Sequence, residues 1–514
     1  MKKLVVICLW AAFSIGLMAS DGLSQQKAPV RGGILKEIWA SGPTCLSYYP
    51  EMSPSDERAI LPATERLMEY DQNKQLAPFL AESVIVAKDH KSILFKLRKG
   101  IKFHDGSELN AEVVAWNYQM FKDAKKLQYN ARLTGIEVVD PYTVKLHLTD
   151  FTSTLLHSFG WVPIFSKQAW DKAGEGNAER SKEWARAHIV GTGPFKLAEY
   201  RRDNYLRWVR NESYWQKGKP YLDGILVRII PDPVTASAMM QAKEADFWGQ
   251  TPVKYQAELE KKGFVRQSGF GLPRVILMNL KDQNSKFQNK KLREAVEYAI
   301  DKPAIARALG FGYYTPLTMM APPGEWGYDP AYRGRPYDPA RAKQLLAEAG
   351  YPNGVTVQMM AMTMPPWPDE ATAMKSYLDA VGIRAEVDLA DPGRFSGAVW
   401  QNGWQDMVLF FTGMDVNYLV QFHRMFGPEP MSNFASFVRP PGLVALGEQS
   451  LGLFDENEQK EITKKLVRLM ADEALVIPMY LAPNAYMIQP WVHTTFLKEA
   501  NVTRRIYDDW MEAH

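Results

Sequence analysis

Apolar and polar positions alternate along this chain in two rhythms, and they predict strands and helices in turn. Ile34-Leu35-Lys36-Glu37-Ile38-Trp39-Ala40 reads as a first strand, followed from 41 to 54 by a loop rich in Gly, Pro and Ser. Residues 92–98 predict a strand that alternates in its second half and closes on the turn Lys99-Gly100. Phe103-His104-Asp105-Gly106 is a second turn, because Asp-Gly supplies the positive φ a tight reversal needs. Asn110 then caps a helix running to about Lys122, its short side chain suited to accept from the first free backbone N–H groups.

Further on, Asp140-Pro141 breaks the chain before the alternating strand Thr143-Val144-Lys145-Leu146-His147-Leu148. Residues 171–188 are densely charged and predict a solvated excursion, and Gly191-Thr192-Gly193-Pro194 predicts a rigid turn feeding the strand Phe195-Lys196-Leu197. A helix follows from Asp338 as N-cap and Pro339 at its first position, through apolar Leu345, Leu346 and Ala349, to Gly350. Interleaved strands and helices without an internal repeat place the chain in the mixed α/β class.

The first residues have a different pattern. Met1-Lys2-Lys3 precedes an unbroken apolar run from 4 to 19 and then polar Ser20-Asp21-Gly22, the layout of a cleavable secretory signal of about 24 residues, cut between 19 and 24. As a helix that run rises about 24 Å, less than the roughly 30 Å hydrocarbon core. Cys8 lies inside it without the setting of a lipid-modified cysteine, so no lipid anchor is expected. Export leaves Cys45 as the single thiol, without an intramolecular partner in an oxidising compartment.

Composition narrows the function by exclusion. The 514 residues suffice for two to four domains, and 46% apolar with 23% charged positions describe a globular chain. With 61 Lys and Arg against 58 Asp and Glu, no basic field for nucleic acid exists, and Lys2 and Lys3 leave with the leader. Two cysteines cannot build a cysteine-rich metal cage or an iron–sulfur cluster. No G-x-S-x-G, Walker loop or dinucleotide fingerprint occurs, and the eight histidines never pair at helical ligand spacing. Neither a cofactor nor a metal nor catalysis is expected. The aromatic load of 15 Trp, 23 Tyr and 23 Phe suits a ligand cleft, since rigid rings offer contact area at low entropic cost.

Seven segments in order give the chain a family likeness. Arg31-Gly32-Gly33-Ile34-Leu35, Leu76-Ala77-Pro78-Phe79-Leu80-Ala81-Glu82-Ser83, and the stretch from Phe95 to Gly106 are the first three. Gly191-Thr192-Gly193-Pro194-Phe195, Arg210-Asn211-Glu212-Ser213-Tyr214-Trp215, Leu292-Arg293-Glu294-Ala295 and Tyr337-Asp338-Pro339 complete the set. The chain, from about 31 to 485, resembles the extracytoplasmic solute-binding proteins of ABC importers, family 5, the oligopeptide, dipeptide and nickel type.

The resemblance implies a two-lobed periplasmic-binding-protein fold, type II-like, with an extra subdomain inserted in the first lobe. Lobe one would comprise 29–60, 190–273 and 486–514, the insert 61–189, and lobe two 274–485. It implies a periplasmic monomer that closes around an oligopeptide or dipeptide-like solute and delivers it to the transmembrane subunits of an ABC permease. An oligosaccharide or other polar organic solute is the second reading; a peptide-holding chaperone and a secreted hydrolase stand behind it. From the family pattern, Asp415 is the candidate anchor for a solute ammonium, with Thr412 where the family carries Trp. Trp400, Trp404, Phe411, Thr412 and Gly413 would line the cleft from lobe two, and Trp39, Cys45 and Tyr48 from lobe one. His423 and Met425 are assigned to packing rather than to a metal chelate.

Overall fold

Two long antiparallel strands, Val265–Met278 and Val476–Ile488, organise the molecule. They run through the middle of an eleven-stranded sheet in this computed structural model, which describes residues 28–513 apart from 53–55, 72–74, 414, 416 and 496–503. The expected leader, 1–24, lies outside the described residues. At one end of the pair, Phe247–Trp248 joins Val476–Ile488 and leads outward through Ile34–Trp39 and Gly224–Ile229 to two antiparallel edge strands. At the other end, Met407–Phe411 joins Val265–Met278 and leads through Val355–Met362 to Ile383–Ala390. Each half therefore has its own set of parallel strands, and the long pair is what they share.

Three large apolar clusters match this layout. One, built on Val275, Leu292, Val357, Met374, Leu409 and Leu466, fills the half that begins after Arg274. A second, around Leu35, Trp208, Ile225 and Val227, fills the other half and takes Ile488, Val492 and Ile506 from the end of the chain. The third, around Phe95, Val114, Tyr118 and Leu146, lies beneath a separate four-stranded antiparallel sheet. That sheet comprises Ala81–Val86, Ser92–Leu97, Thr143–Leu148 and Leu133–Asp140, in that order.

Local signals translate directly. Asn110 accepts from the Val113 N–H at 3.0 Å and starts the helix Ala111–Asp123, and Asp338 accepts from the Arg341 N–H at 2.9 Å. The charged stretch 171–188 is different from its expectation: Lys167–Gly174 and Ala178–Ala187 are helices packed on each other. Ser181 and Ala185 form a narrow buried face, and Ser181 donates to the Trp170 carbonyl at 2.9 Å. Two small residues suffice to seat a helix whose remaining positions are charged, so composition alone misread it.

Three of the family-like blocks, Phe95 to Gly106, Gly191 to Phe195 and Arg210 to Trp215, meet at the joint between the four-stranded unit and the first half. Gly193 needs to be glycine because its backbone lies against Ala63; a Cβ would come 2.6 Å from the Ala63 carbonyl carbon. There the Gly193 N–H donates to the Ala63 carbonyl at 2.9 Å, and the Gly193 carbonyl receives Asn211 Nδ2 at 3.0 Å and bonds His104 Nε2 at 2.9 Å. Glu65 is buried beside it and accepts from Thr192 at 2.7 Å, Tyr214 at 2.6 Å and the Trp215 indole at 2.9 Å. Desolvation outweighs those donors and lifts its carboxyl to about 7. The same desolvation holds His104 down at about 4, neutral at physiological pH.

Between the halves the long strands lose their regular register twice, at Ser268/Gly271 and at Arg274/Val275. The interrupted pairing lies between two separately packed cores. A further contact joins the four-stranded unit to the second half. There Arg132 Nε donates to Glu429 Oε1 at 3.0 Å, the Ser153 N–H to the Leu451 carbonyl at 2.9 Å, and Phe151 stacks on Phe454.

Candidate functional site

In open α/β sheets ligands gather at the carboxyl ends of parallel strands, and here two such edges face each other. Phe411 pairs with Arg274, which pairs with Tyr480; Trp248 pairs with Met487. The two edges therefore point toward one another along Val476–Ile488, separated by seven residues or roughly 23 Å of strand.

The second-half wall is set by Arg274. Its guanidinium is almost enclosed, stands 4.4 Å over the Trp367 ring and 5.7 Å from Phe411, and donates from Nε to Glu370 Oε1 at 3.2 Å. Glu370 is wholly buried, and its other oxygen is enclosed without a hydrogen-bond donor. The Tyr314 and Tyr480 rings stack 4.7 Å apart beside the pair, and burial lifts Tyr314 to about 12.

Asp415 follows the Met407–Phe411 edge and is half-buried, with Arg424 Nη1 at 3.4 Å from its Oδ2. Its field reaches Tyr70 and His157 of the four-stranded unit, which are bonded to each other at 2.6 Å. Burial keeps His157 neutral, at about 4. So Asp415 stands where the two bodies meet, already partnered by a cation.

The first-half wall carries Trp39 at the end of Ile34–Trp39. Its indole donates to Glu37 Oε2 at 3.0 Å and its ring lies 4.1 Å under the Arg58 guanidinium. Cys45 is buried with its thiol toward the Tyr48 carbonyl at 3.5 Å, and burial raises its pKa. Tyr48 is half-buried and stacks on Trp170 at 6.0 Å.

The remaining expected residues divide between core and surface. Trp404 is 3% exposed within the second-half core, its carbonyl accepting Asn279 Nδ2 at 2.8 Å. Thr412 is buried and its N–H continues the ladder to the Pro273 carbonyl at 2.9 Å, while Gly413 is half-buried and faces Gln421. Trp400 is 37% exposed and stacks on Phe434 at 5.2 Å. Phe411 is half-buried between Trp367 and Phe410. His423 is buried against Ser450 Oγ at 2.7 Å and held at about 3, and Met425 is buried with it. Among the described residues no cluster of His, Cys, Asp and Glu could hold a metal ion, and no helix is long and apolar enough to cross a membrane.

Sequence reasoning missed Arg58, Arg274, Trp367, Glu370 and Arg424. Arg58 sits in an Asp-Glu-Arg run that reads as solvated charge, and Arg274 at the start of an otherwise apolar strand. Neither has a local pattern that marks it.

Residues 75–429 match the model of the bacterial extracellular solute-binding proteins, family 5 (middle). The chain belongs to that family. The glutathione-binding proteins GsiB of Shigella boydii serotype 4 (strain Sb227) and of Escherichia coli strain K12 are each 34% identical to it over 361 residues, 67% of either chain. Among solved structures, the periplasmic binding protein DppA from Helicobacter pylori, in complex with the peptide STSA, superposes with a TM-score of 0.83 at 21% identity. The alignment covers 94% of this chain and 99% of that one. The binding protein AgaA from A. tumefaciens R10, in complex with agropinic acid, gives 0.81 at 24% identity, with 94% and 99% covered. At these identities the likeness is one of fold, and it confirms the two-lobed architecture for this family-5 chain.

Proposed function

We propose that this protein captures a peptide-like solute in the cleft between its lobes and hands it to the membrane subunits of an ABC importer. The observation that carries this is the 34% identity to glutathione-binding proteins across two thirds of both chains. The opposed strand ends and the aromatic and ionic residues beside them support this reading. The reading includes a periplasmic monomer freed from its leader, without catalytic chemistry. It also includes lobe boundaries at 273/274 and 485/486, where the long strands leave one core for the other.

In this reading Asp415 receives the solute's ammonium, shared with Arg424, and the rings of Phe411, Trp367 and Trp39 flank the chain of the solute. Main-chain edges beyond Phe411 and Trp39 hold the peptide backbone while side chains project into the roughly 20 Å gap. Native mass spectrometry of protein purified from its own compartment, followed by calorimetry with tripeptides and glutathione, tests it. A retained peptide and saturable binding are expected; retained glycan with no peptide binding would replace the peptide with the sugar reading. Asp415→Ala should weaken peptides with a free amino terminus by about 2 kcal/mol and leave N-acetylated peptides unchanged.

A further inference from the structure

Four buried or half-buried arginines have a carboxylate within ion-pair reach. Arg274 has Glu370 at 3.2 Å, Arg424 has Asp415 at 3.4 Å, Arg66 has Glu57 at 4.0 Å, and Arg504 has Asp509 at 2.6 Å with Glu37 beside it. Arg58 differs. Among the described residues no carboxylate lies within 4.0 Å of its guanidinium; its acceptors are the neutral Gln250 Oε1 at 3.2 Å and the Ser41 carbonyl at 3.5 Å. Its Nε is enclosed without any acceptor. Burial lowers its pKa, as it does that of Arg66, and the fields of Tyr486 and Glu37 offset this only in part.

The surroundings are those of a wall rather than of a core. Arg58 lies flat on Trp39, and its two contacts, Ser41 and Gln250, sit just past the carboxyl ends of Ile34–Trp39 and Phe247–Trp248. Gln250 holds φ at 53°, the left-handed region that non-glycine residues avoid, so the backbone keeps its amide there at a local cost. A desolvated guanidinium with only neutral acceptors weakens the fold, yet a planar fork pinned on an indole is ready to grip an anion in two places.

We propose that Arg58 is the anion-reading position of the cleft, and that the solute bears a carboxylate which completes its ion pair. The inference rests on the peptide-like reading above and narrows it to solutes with a free acid group. The carboxylate accepts from the outer nitrogens of Arg58, replacing the neutral oxygen of Gln250 with a charged one. Closure then excludes water around a matched pair. A solute lacking the acid leaves the cation shut in unmatched, and is rejected for that reason.

The test uses the full mature chain and calorimetry with tripeptides as free acids and as carboxyl-terminal amides. Wild type binds a free acid at least about thirtyfold more tightly than its amide. Arg58→Gln loses the acid by about that factor, binds acid and amide alike, and melts no lower than wild type. Arg58→Lys keeps part of the preference. Acid binding by Arg58→Gln at wild-type strength, or preference for the acid retained in it, overturns the proposal. If no peptide binds wild type, the peptide reading fails by itself. Native mass spectrometry then decides the anion reading separately: a retained acid supports it, and a retained neutral solute overturns it.

Discussion

The joint around Glu65 and the cleft wall around Arg58 both place charged side chains out of water, but they resolve the cost in opposite ways. At the joint, Glu65 takes three neutral donors from Thr192, Tyr214 and Trp215 and moves toward its neutral form. Backbones pack so tightly there that Gly193 has no space for a methyl group. Arg274, Arg424, Arg66 and Arg504 are matched by carboxylates, whereas among the described residues Arg58 hydrogen-bonds neutral oxygens alone. The Glu65 carboxylate finds its donors within the joint, whereas Arg58 Nε at the end of Ile34–Trp39 is enclosed without an acceptor.

The largest effect that would break this contrast lies at the joint. Gly193→Val pushes a side chain into the Ala63 backbone and should cost at least about 3 kcal/mol, read by urea unfolding. A near-neutral result would mean that the joint is not rigid. Glu370→Ala should cost about 3 kcal/mol as well, because it leaves Arg274 unpaired beside Trp367. It should also tighten anionic peptides, since a second uncompensated cation then faces the cleft.

Glu65 sharpens the comparison through pH. Its folded pKa of about 7 lies above the ordinary carboxylate value, so its contribution to stability is full below about pH 4.5 and lost as pH rises through 7. Buried neutral His104 and His157 act oppositely, costing stability as pH falls from about 6.5 toward 4. Glu65→Gln removes only the first part. The unfolding free energy of wild type minus that of the variant should fall by about 3 kcal/mol between pH 4.5 and 7. A constant difference would remove Glu65 from the account. The smallest expected effect is Arg132→Ala, which breaks the partly exposed pair with Glu429 across the lobes. It should change stability by less than about 1 kcal/mol and weaken solute binding by a few-fold at most.

What was readable in the sequence was what a few neighbouring residues decide. The caps at Asn110 and Asp338 involve bonds spanning three residues, and both formed where expected. The family blocks were also readable, and the structure explains why: Gly191 to Phe195, His104, Asn211 and Trp215 assemble the joint, where glycine and hydrogen-bonding needs are strict. Trp39 and Phe411 were expected from the family resemblance, and each ends a strand. The cations beside them were not, because Arg58 and Arg274 carry no signal until separate strands bring Trp39 and Trp367 beneath them.

By itself, then, the sequence determined the α/β class, the order of strands and helices, the exclusion of familiar metal and nucleotide motifs, and the family. These follow from periodicity, turn chemistry and short contiguous blocks. Only the tertiary structure decided which charges meet. The Arg274–Glu370 pair spans 96 positions, and Asp415 already stands beside Arg424. Ion pairing depends on distance and desolvation, and both are set by how the sheet brings remote segments together. The count of 61 bases against 58 acids could not show that Arg58 would hydrogen-bond neutral oxygens while Arg274 and Arg424 meet carboxylates.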